Sequence, residues 1–160
     1  TNLKVDFYLR LILIISLVSI ISAYFIEYAL GYQPCNLCLI ERIPYGLSII
    51  LISLNYFFKK NKKFIILLLI LIFFFSFAIS VYHLGIEQGL FEESAICSLK
   101  NTTGIISKEE ILKQLQEKAV SCKDVTFRIF GLSLTSINIL LSLILISLLT
   151  KIYISYEKNK

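Results

Sequence analysis

Two cysteines three residues apart, Cys35 and Cys38, open the stretch "PCNLCLIERIPY", and Arg42 follows four residues later. The C-x-x-C spacing belongs to dithiols that cycle between disulfide and thiol forms, and the reactive species is a thiolate whose pKa has been lowered. As an inert staple the pair would do little, because so small a ring restricts little of the unfolded chain. If a helix begins near Cys38, Arg42 lies one turn on along the same face, and both the guanidinium and the helix N-terminus favour a thiolate there. Pro44 suits a first helical turn, so it sets the expected helix start shortly before itself. Simple snorkelling would also account for an arginine at an apolar edge; the neighbouring cysteine favours a function.

Cys97 and Cys122 complete the set of four cysteines. Four cysteines allow three pairings. Shared segments favour Cys35–Cys38 and Cys97–Cys122 over the alternatives. Closing the longer loop stabilises by about 3–4 kcal/mol on a chain-entropy account, so a structural role suits the second pair better than the first. Two thiolate pairs could also hold zinc or copper. That reading is weaker, because thiols in an oxidising compartment are lost to disulfides and no histidine adjoins either pair in sequence; no metal ligand is assigned.

Electrons arriving at a dithiol need an acceptor. The chain has no nucleotide-binding glycine signature, no haem-attachment motif and no iron–sulfur cysteine spacing. A quinone dissolved in lipid fits, with its carbonyl head meeting a donor in Arg42 and an electron-rich sulfur in Cys38.

The elements that position these groups are apolar. Of 160 residues, 57% are hydrophobic and 17% charged, which excludes an ordinary soluble domain. Four continuous runs, at about 11–30, 43–58, 64–84 and 133–150, approach the length a helix needs to cross a bilayer. Their continuity favours helices over strands, so the expected fold is a single all-α membrane domain, 1–160, with four transmembrane helices. The first run is too long for a signal core and lacks a small-residue cleavage site. Lys59, Lys60, Lys62 and Lys63 crowd the second turn, and Lys4, Arg10, Lys151, Lys158 and Lys160 lie near the termini. The positive-inside rule therefore puts that turn and both termini in the cytoplasm, and segments 31–42 and 85–132, with every cysteine, outside. The net charge of +5 is thus an orientation signal and a means of meeting anionic lipid rather than nucleic acid.

Within the long outer segment, "SKEEILKQLQEKA" from Ser107 predicts a short amphipathic helix, opened by a capping box of Ser107 with Glu110. It lies on the membrane surface or packs on the ends of the spans. His83, the single histidine, ends the third run with Glu87 four residues on. A solvated or hydrogen-bonded residue is the plain reading, and a part in quinone binding or proton movement the functional one. Glu27 carries no assigned role.

Three stretches, "YFIEYALGYQPCNLCLIERIPY" from Tyr24, "VYHLGIEQGLFEESAIC" from Val81 and "CKDVTFRIFGLSLTSIN" from Cys122, resemble the disulfide bond formation protein B (DsbB) family of bacterial inner-membrane thiol oxidases. The resemblance spans nearly the whole chain. Vitamin K epoxide reductases are similar but place their loop cysteines before the C-x-x-C, the reverse of the order here. The resemblance implies a thiol:quinone oxidoreductase in which Cys35 and Cys38 pass electrons to quinone, ubiquinone ahead of menaquinone, with Cys38 adjacent to it and Arg42 in support. It implies that Cys97 and Cys122 oxidise a periplasmic, DsbA-like thioredoxin-fold partner through a mixed disulfide at Cys97. The family-like "YHLGIEQG" adds His83 to the quinone-binding set. The chain has no tryptophan; Phe127 and Ile137 stand where the family often carries indoles.

Overall fold

The computed structural model describes residues 2–58, 62–93, 97, 121–123 and 127–158. Four helices dominate it: α1 (Asn2–Tyr28), α2 (Asn36–Phe58), α3 (Lys62–Glu87) and α4 (Leu134–Lys158). All 4 are long and apolar enough to cross a membrane. The fold is an all-α, four-helix membrane bundle.

The helices outrun the apolar stretches of the sequence, and the largest difference is in α2. It starts at Asn36 instead of near Ile43, which leaves Pro44 inside the helix. Proline there removes the hydrogen bond that the Ile40 carbonyl would accept. The helix is nucleated further back, where the Cys35 carbonyl accepts the Leu39 N–H at 3.2 Å. The Cys35 sulfur in turn accepts the Cys38 N–H at 3.3 Å, so a thiol occupies the N-cap position.

Apolar side chains with no exposure form the centre of the bundle, among them Leu9, Ile12, Ile52, Leu69, Phe73 and Leu145. Small hydroxyl residues let the backbones approach: Ser48 donates to Ser16 at 2.8 Å and Ser142 to Ser76 at 3.3 Å. Phe25, Phe57, Phe74 and Phe75 point outward and are largely exposed, the face a bundle presents to lipid. Contacts are most extensive between α3 and α4 and sparse between α1 and α4, which leaves a loose seam between the first and last helices.

Antiparallel order brings the end of α1, the start of α2, the end of α3 and the start of α4 together at one end of the bundle. At that end α3 stops in a Schellman turn: Leu90 N–H reaches the Gly85 carbonyl at 2.8 Å, Gly89 N–H reaches that of Ile86 at 3.0 Å, and Gly89 takes φ 75°. The Phe91 ring then folds over Gly85, where a Cβ would stand 2.3 Å from it. A two-residue hairpin, β1 (Arg128–Ile129) with β2 (Leu132–Ser133), leads into α4, and its turn residues Phe130 and Gly131 both have positive φ. The Ser133 hydroxyl accepts the Ser136 N–H at 3.2 Å and caps α4. The amphipathic helix expected from Ser107 lies outside the described residues.

Candidate active site: two cysteine pairs around a buried histidine

All four cysteines meet at this end of the bundle. Cys97 and Cys122 are joined by a disulfide, with Cα atoms 5.8 Å apart. Cys35 and Cys38 are thiols whose sulfurs lie 2.8 Å apart. Cys35, Cys97 and Cys122 are all buried and pack with Leu37 and Ile86. The sulfurs of Cys35 and Cys122 and a ring nitrogen of His83 all lie within 4.8 Å of one another. One sulfur of each pair therefore faces the other pair, over a distance that a modest shift closes to reacting contact.

His83 is 2% exposed and stands behind the C-x-x-C. Its Nε2 lies 3.5 Å from the Cys35 sulfur, and its Nδ1 lies 3.0 Å from Glu41 Oε1. Thr135 Oγ1 approaches the same Nδ1 at 3.3 Å and donates to Glu87 Oε1 at 2.5 Å. Glu87 Oε1 is itself 3.9 Å from His83 Nε2. The second Glu41 oxygen accepts from Asn138 Nδ2 at 3.2 Å, and that amide also donates to Ser80 at 2.7 Å. Tyr45 donates its phenolic proton to Asn138 Oδ1. A continuous polar network thus runs from the thiol at the α2 N-terminus to Tyr45, one helical turn beyond Glu41. Buried polar groups held this way specify a single arrangement.

Cys35, just ahead of the α2 span, has its thiol pKa held well below the ordinary thiol range. The hydrogen bond from the Cys38 thiol is the largest cause and the His83 ring adds to it; burial opposes both. The sequence suggested Arg42 as the cation beside the sulfur. The structure adds His83 beside the other sulfur, that of Cys35, and no hydrogen bond joins Arg42 to either thiol among the described residues. Arg42 pairs with Glu27 at 2.5 Å and lies over the Tyr24 ring, 5.0 Å from its centroid. Glu27 thus anchors the arginine from α1.

Cys38 and Arg42 do meet elsewhere, in the wall of a cavity of about 320 Å³. Glu41, Tyr45, Thr135 and Asn138 complete its polar end, while Val18, Ile26, Ile137 and Leu141 of α1 and α4 supply apolar walls. His83 does not line it; it stands behind Glu41 and Thr135.

These positions fall inside a family already defined by sequence. The family model described as "Disulfide bond formation protein DsbB" matches residues 6–152. The chain belongs to the DsbB family. It is also 34% identical over 158 residues to "Uncharacterized protein RP370" of Rickettsia prowazekii (strain Madrid E), an alignment covering 95% of this chain and 90% of that one. No solved structure matches the chain. Membership in the DsbB family implies membrane oxidation of DsbA-like partners with quinone as the acceptor.

The residues present suit such an acceptor. A planar head with two carbonyls and an apolar tail needs a donor-rich end, an apolar wall and an opening to lipid. The cavity joins the Arg42 guanidinium and the Cys38 sulfur to the walls of the loose α1–α4 seam.

Four members of this network, Glu41, Tyr45, Thr135 and Asn138, carried no weight in the sequence. The available signal was polarity: Asn138 and Thr135 interrupt an apolar span, and Glu41 precedes Arg42 inside what becomes α2. Polar groups at such depth are costly unless they have work to do.

Proposed function

We propose that this protein oxidises a soluble thioredoxin-fold dithiol at Cys97 and passes two electrons through Cys122, Cys35 and Cys38 to a quinone in the α1–α4 cavity. The approach of Cys122 to Cys35 within 4.8 Å, with Cys38 turned to the cavity, is the observation that carries the reading.

A partner thiolate attacks the Cys97 sulfur, and Cys122 leaves as a thiolate. The partner's second thiol then displaces Cys97, so the partner departs with a disulfide. In the oxidised C-x-x-C, the Cys122 thiolate attacks Cys35 and Cys38 leaves; Cys97 then displaces Cys35 from Cys122, which restores the loop disulfide. The C-x-x-C ends as two thiols beside an intact Cys97–Cys122 bond, the arrangement of sulfurs described above. Stabilising Cys35 as a thiolate favours electron arrival at this pair, as low thiol pKa values do in strongly oxidising dithiols. When bound, quinone supplies the two-electron, two-proton acceptor that regenerates the disulfide. Arg42, held by Glu27, presents a charged donor to its head, and Cys38 presents the electron-rich sulfur. Glu41, with His83 and Asn138, offers a hydrogen-bonded route for protons at the polar end of the cavity.

The lysines at the opposite end support an orientation with both termini in the cytoplasm and the sulfurs in the periplasm of a bacterial inner membrane. The partner reading is tested by replacing Cys122 with Ser and adding a reduced thioredoxin-fold dithiol oxidase. A mixed disulfide should accumulate at Cys97; its absence in a folded variant contradicts the reading. Parallel assays with benzoquinone and naphthoquinone acceptors test the expected preference for ubiquinone.

A further inference from the structure

The same end of the bundle gathers three side chains of metal-ligating type, one of them in the Cys97–Cys122 disulfide. Cys35, His83 and Cys122 come from three separate elements, are all buried, and direct one sulfur or nitrogen atom each into a space where these atoms lie within 4.8 Å of one another. The Cys38 sulfur lies 2.8 Å from that of Cys35. Tetrahedral zinc, with bonds of about 2.3 Å to sulfur and about 2.0 Å to nitrogen, requires sulfur–sulfur edges of about 3.8 Å and sulfur–nitrogen edges of about 3.6 Å. The edge from Cys35 to His83 is 3.5 Å, already that of such a site. The Cys35–Cys38 edge has to widen by about 1 Å.

Metal-bound imidazoles place their other nitrogen against a carboxylate, which fixes the ring and raises its basicity. Glu41 Oε1 stands 3.0 Å from Nδ1, leaving Nε2 toward the sulfurs, and Asn138 fixes the other oxygen of Glu41. Glu87, 3.9 Å from Nε2, adds a negative charge at the edge of the site.

We propose that the fully reduced protein binds one soft divalent cation of the zinc class through Cys35, Cys38, His83 and Cys122, and that the bound cation arrests the relay. Each cysteine coordinates as its thiolate, any proton it still carries passing to the buffer, and no electron moves. The cation occupies the sulfur that receives electrons and the two that relay them, so neither disulfide can form until it is removed. The bound form differs from the relay in needing Cys122 free; while Cys122 is tied to Cys97 its sulfur is no longer an anionic ligand. How the four-thiol state arises in the cell rests on the relay proposed above, whereas the binding does not.

The test uses full-length protein reduced with a phosphine, which does not compete as a thiol, and Zn²⁺ or Co²⁺ alone. Reduced wild type and Cys97→Ser should each retain one Zn²⁺ per chain, and Co²⁺ should produce thiolate-to-cobalt charge-transfer absorption. Cys122→Ser should bind at least tenfold more weakly, and Glu41→Gln should lose about 10–100-fold, the cost of removing an outer-shell partner. Equal affinity in Cys122→Ser and Cys97→Ser, no binding by folded reduced Cys97→Ser, or equal binding by protein that keeps its Cys97–Cys122 bond would each overturn the proposal. If Cys122→Ser fails to fold, alkylation of reduced wild type decides: Zn²⁺ should protect Cys35 and Cys122, and unprotected Cys122 refutes the site. None of these readouts involves quinone or a partner, so the metal site and the relay stand or fall separately.

Discussion

Replacing His83 with Gln probes the electrostatics of the relay. Cys35 ionises well below the ordinary thiol range, chiefly through the Cys38 thiol hydrogen bond and also through His83, against the cost of burial. At neutral pH its thiolate is therefore favoured over the thiol, and each pH unit of that preference is worth about 1.4 kcal/mol. For a two-electron couple this raises the potential of the C-x-x-C, by about 30 mV for each 1.4 kcal/mol. By linkage, the stabilisation that the Cys35 thiolate gives the reduced pair is present at neutral pH and is lost as pH falls through the depressed Cys35 pKa. His83 supplies part of the shift, so His83→Gln should raise the Cys35 pKa and lower the potential, by about 30 mV for each pH unit that the pKa rises. The measurement is best made with Cys97 and Cys122 both replaced by Ser, so that a single couple titrates. Thiolate absorbance followed against pH gives the pKa, and equilibration with thiol–disulfide buffers gives the potential. A Cys35 that titrates near 9, or values unmoved by His83→Gln, would refute the reasoning.

Three further outcomes follow from other contacts. In Cys38→Ser, the Cys35 thiolate faces Cys122, so peptide mapping after oxidation should find a Cys35–Cys122 disulfide with Cys97 free; persistence of Cys97–Cys122 beside an unreacted Cys35 contradicts the proposed approach. Arg42→Gln removes a charged donor from the cavity and should raise the quinone KM roughly tenfold or more while leaving the rate of partner attack on Cys97 unchanged, as steady-state and mixed-disulfide assays would measure. Phe73 is fully buried against Tyr45, with centroids 5.7 Å apart, whereas the adjacent Phe74 is 61% exposed. In detergent unfolding Phe73→Ala should cost about 3 kcal/mol and Phe74→Ala less than about 0.5 kcal/mol; equal losses would contradict the packing.

The four spans were legible because each is an unbroken apolar run, and the C-x-x-C with Arg42 was legible because its chemistry is local. Helix α2 was misjudged at its start: Pro44 signals a first turn, but the N-cap made by Cys35 lies nine residues earlier. The His83 network was hidden for a different reason. Glu41 and Asn138 are 42 residues before His83 and 97 residues after Glu41, respectively, and only helix packing brings them together. Sequence spacing put Arg42 on the Cys38 side of α2 but gave no sign of its ion pair with Glu27 on another helix. The polar residues inside the spans were a usable warning that function extends beyond the cysteines.

The central claim is that two electrons leave the partner through both cysteine pairs and reach quinone by way of Cys38. Stoichiometry under single-turnover conditions tests it most directly, with reduced partner mixed into quinone-loaded protein and both products counted. Wild type should form one partner disulfide for each quinone reduced, whereas Cys38→Ser should reduce none. Quinone reduction that persists in Cys38→Ser, or partner oxidation by wild type with no matching quinol, would contradict the account.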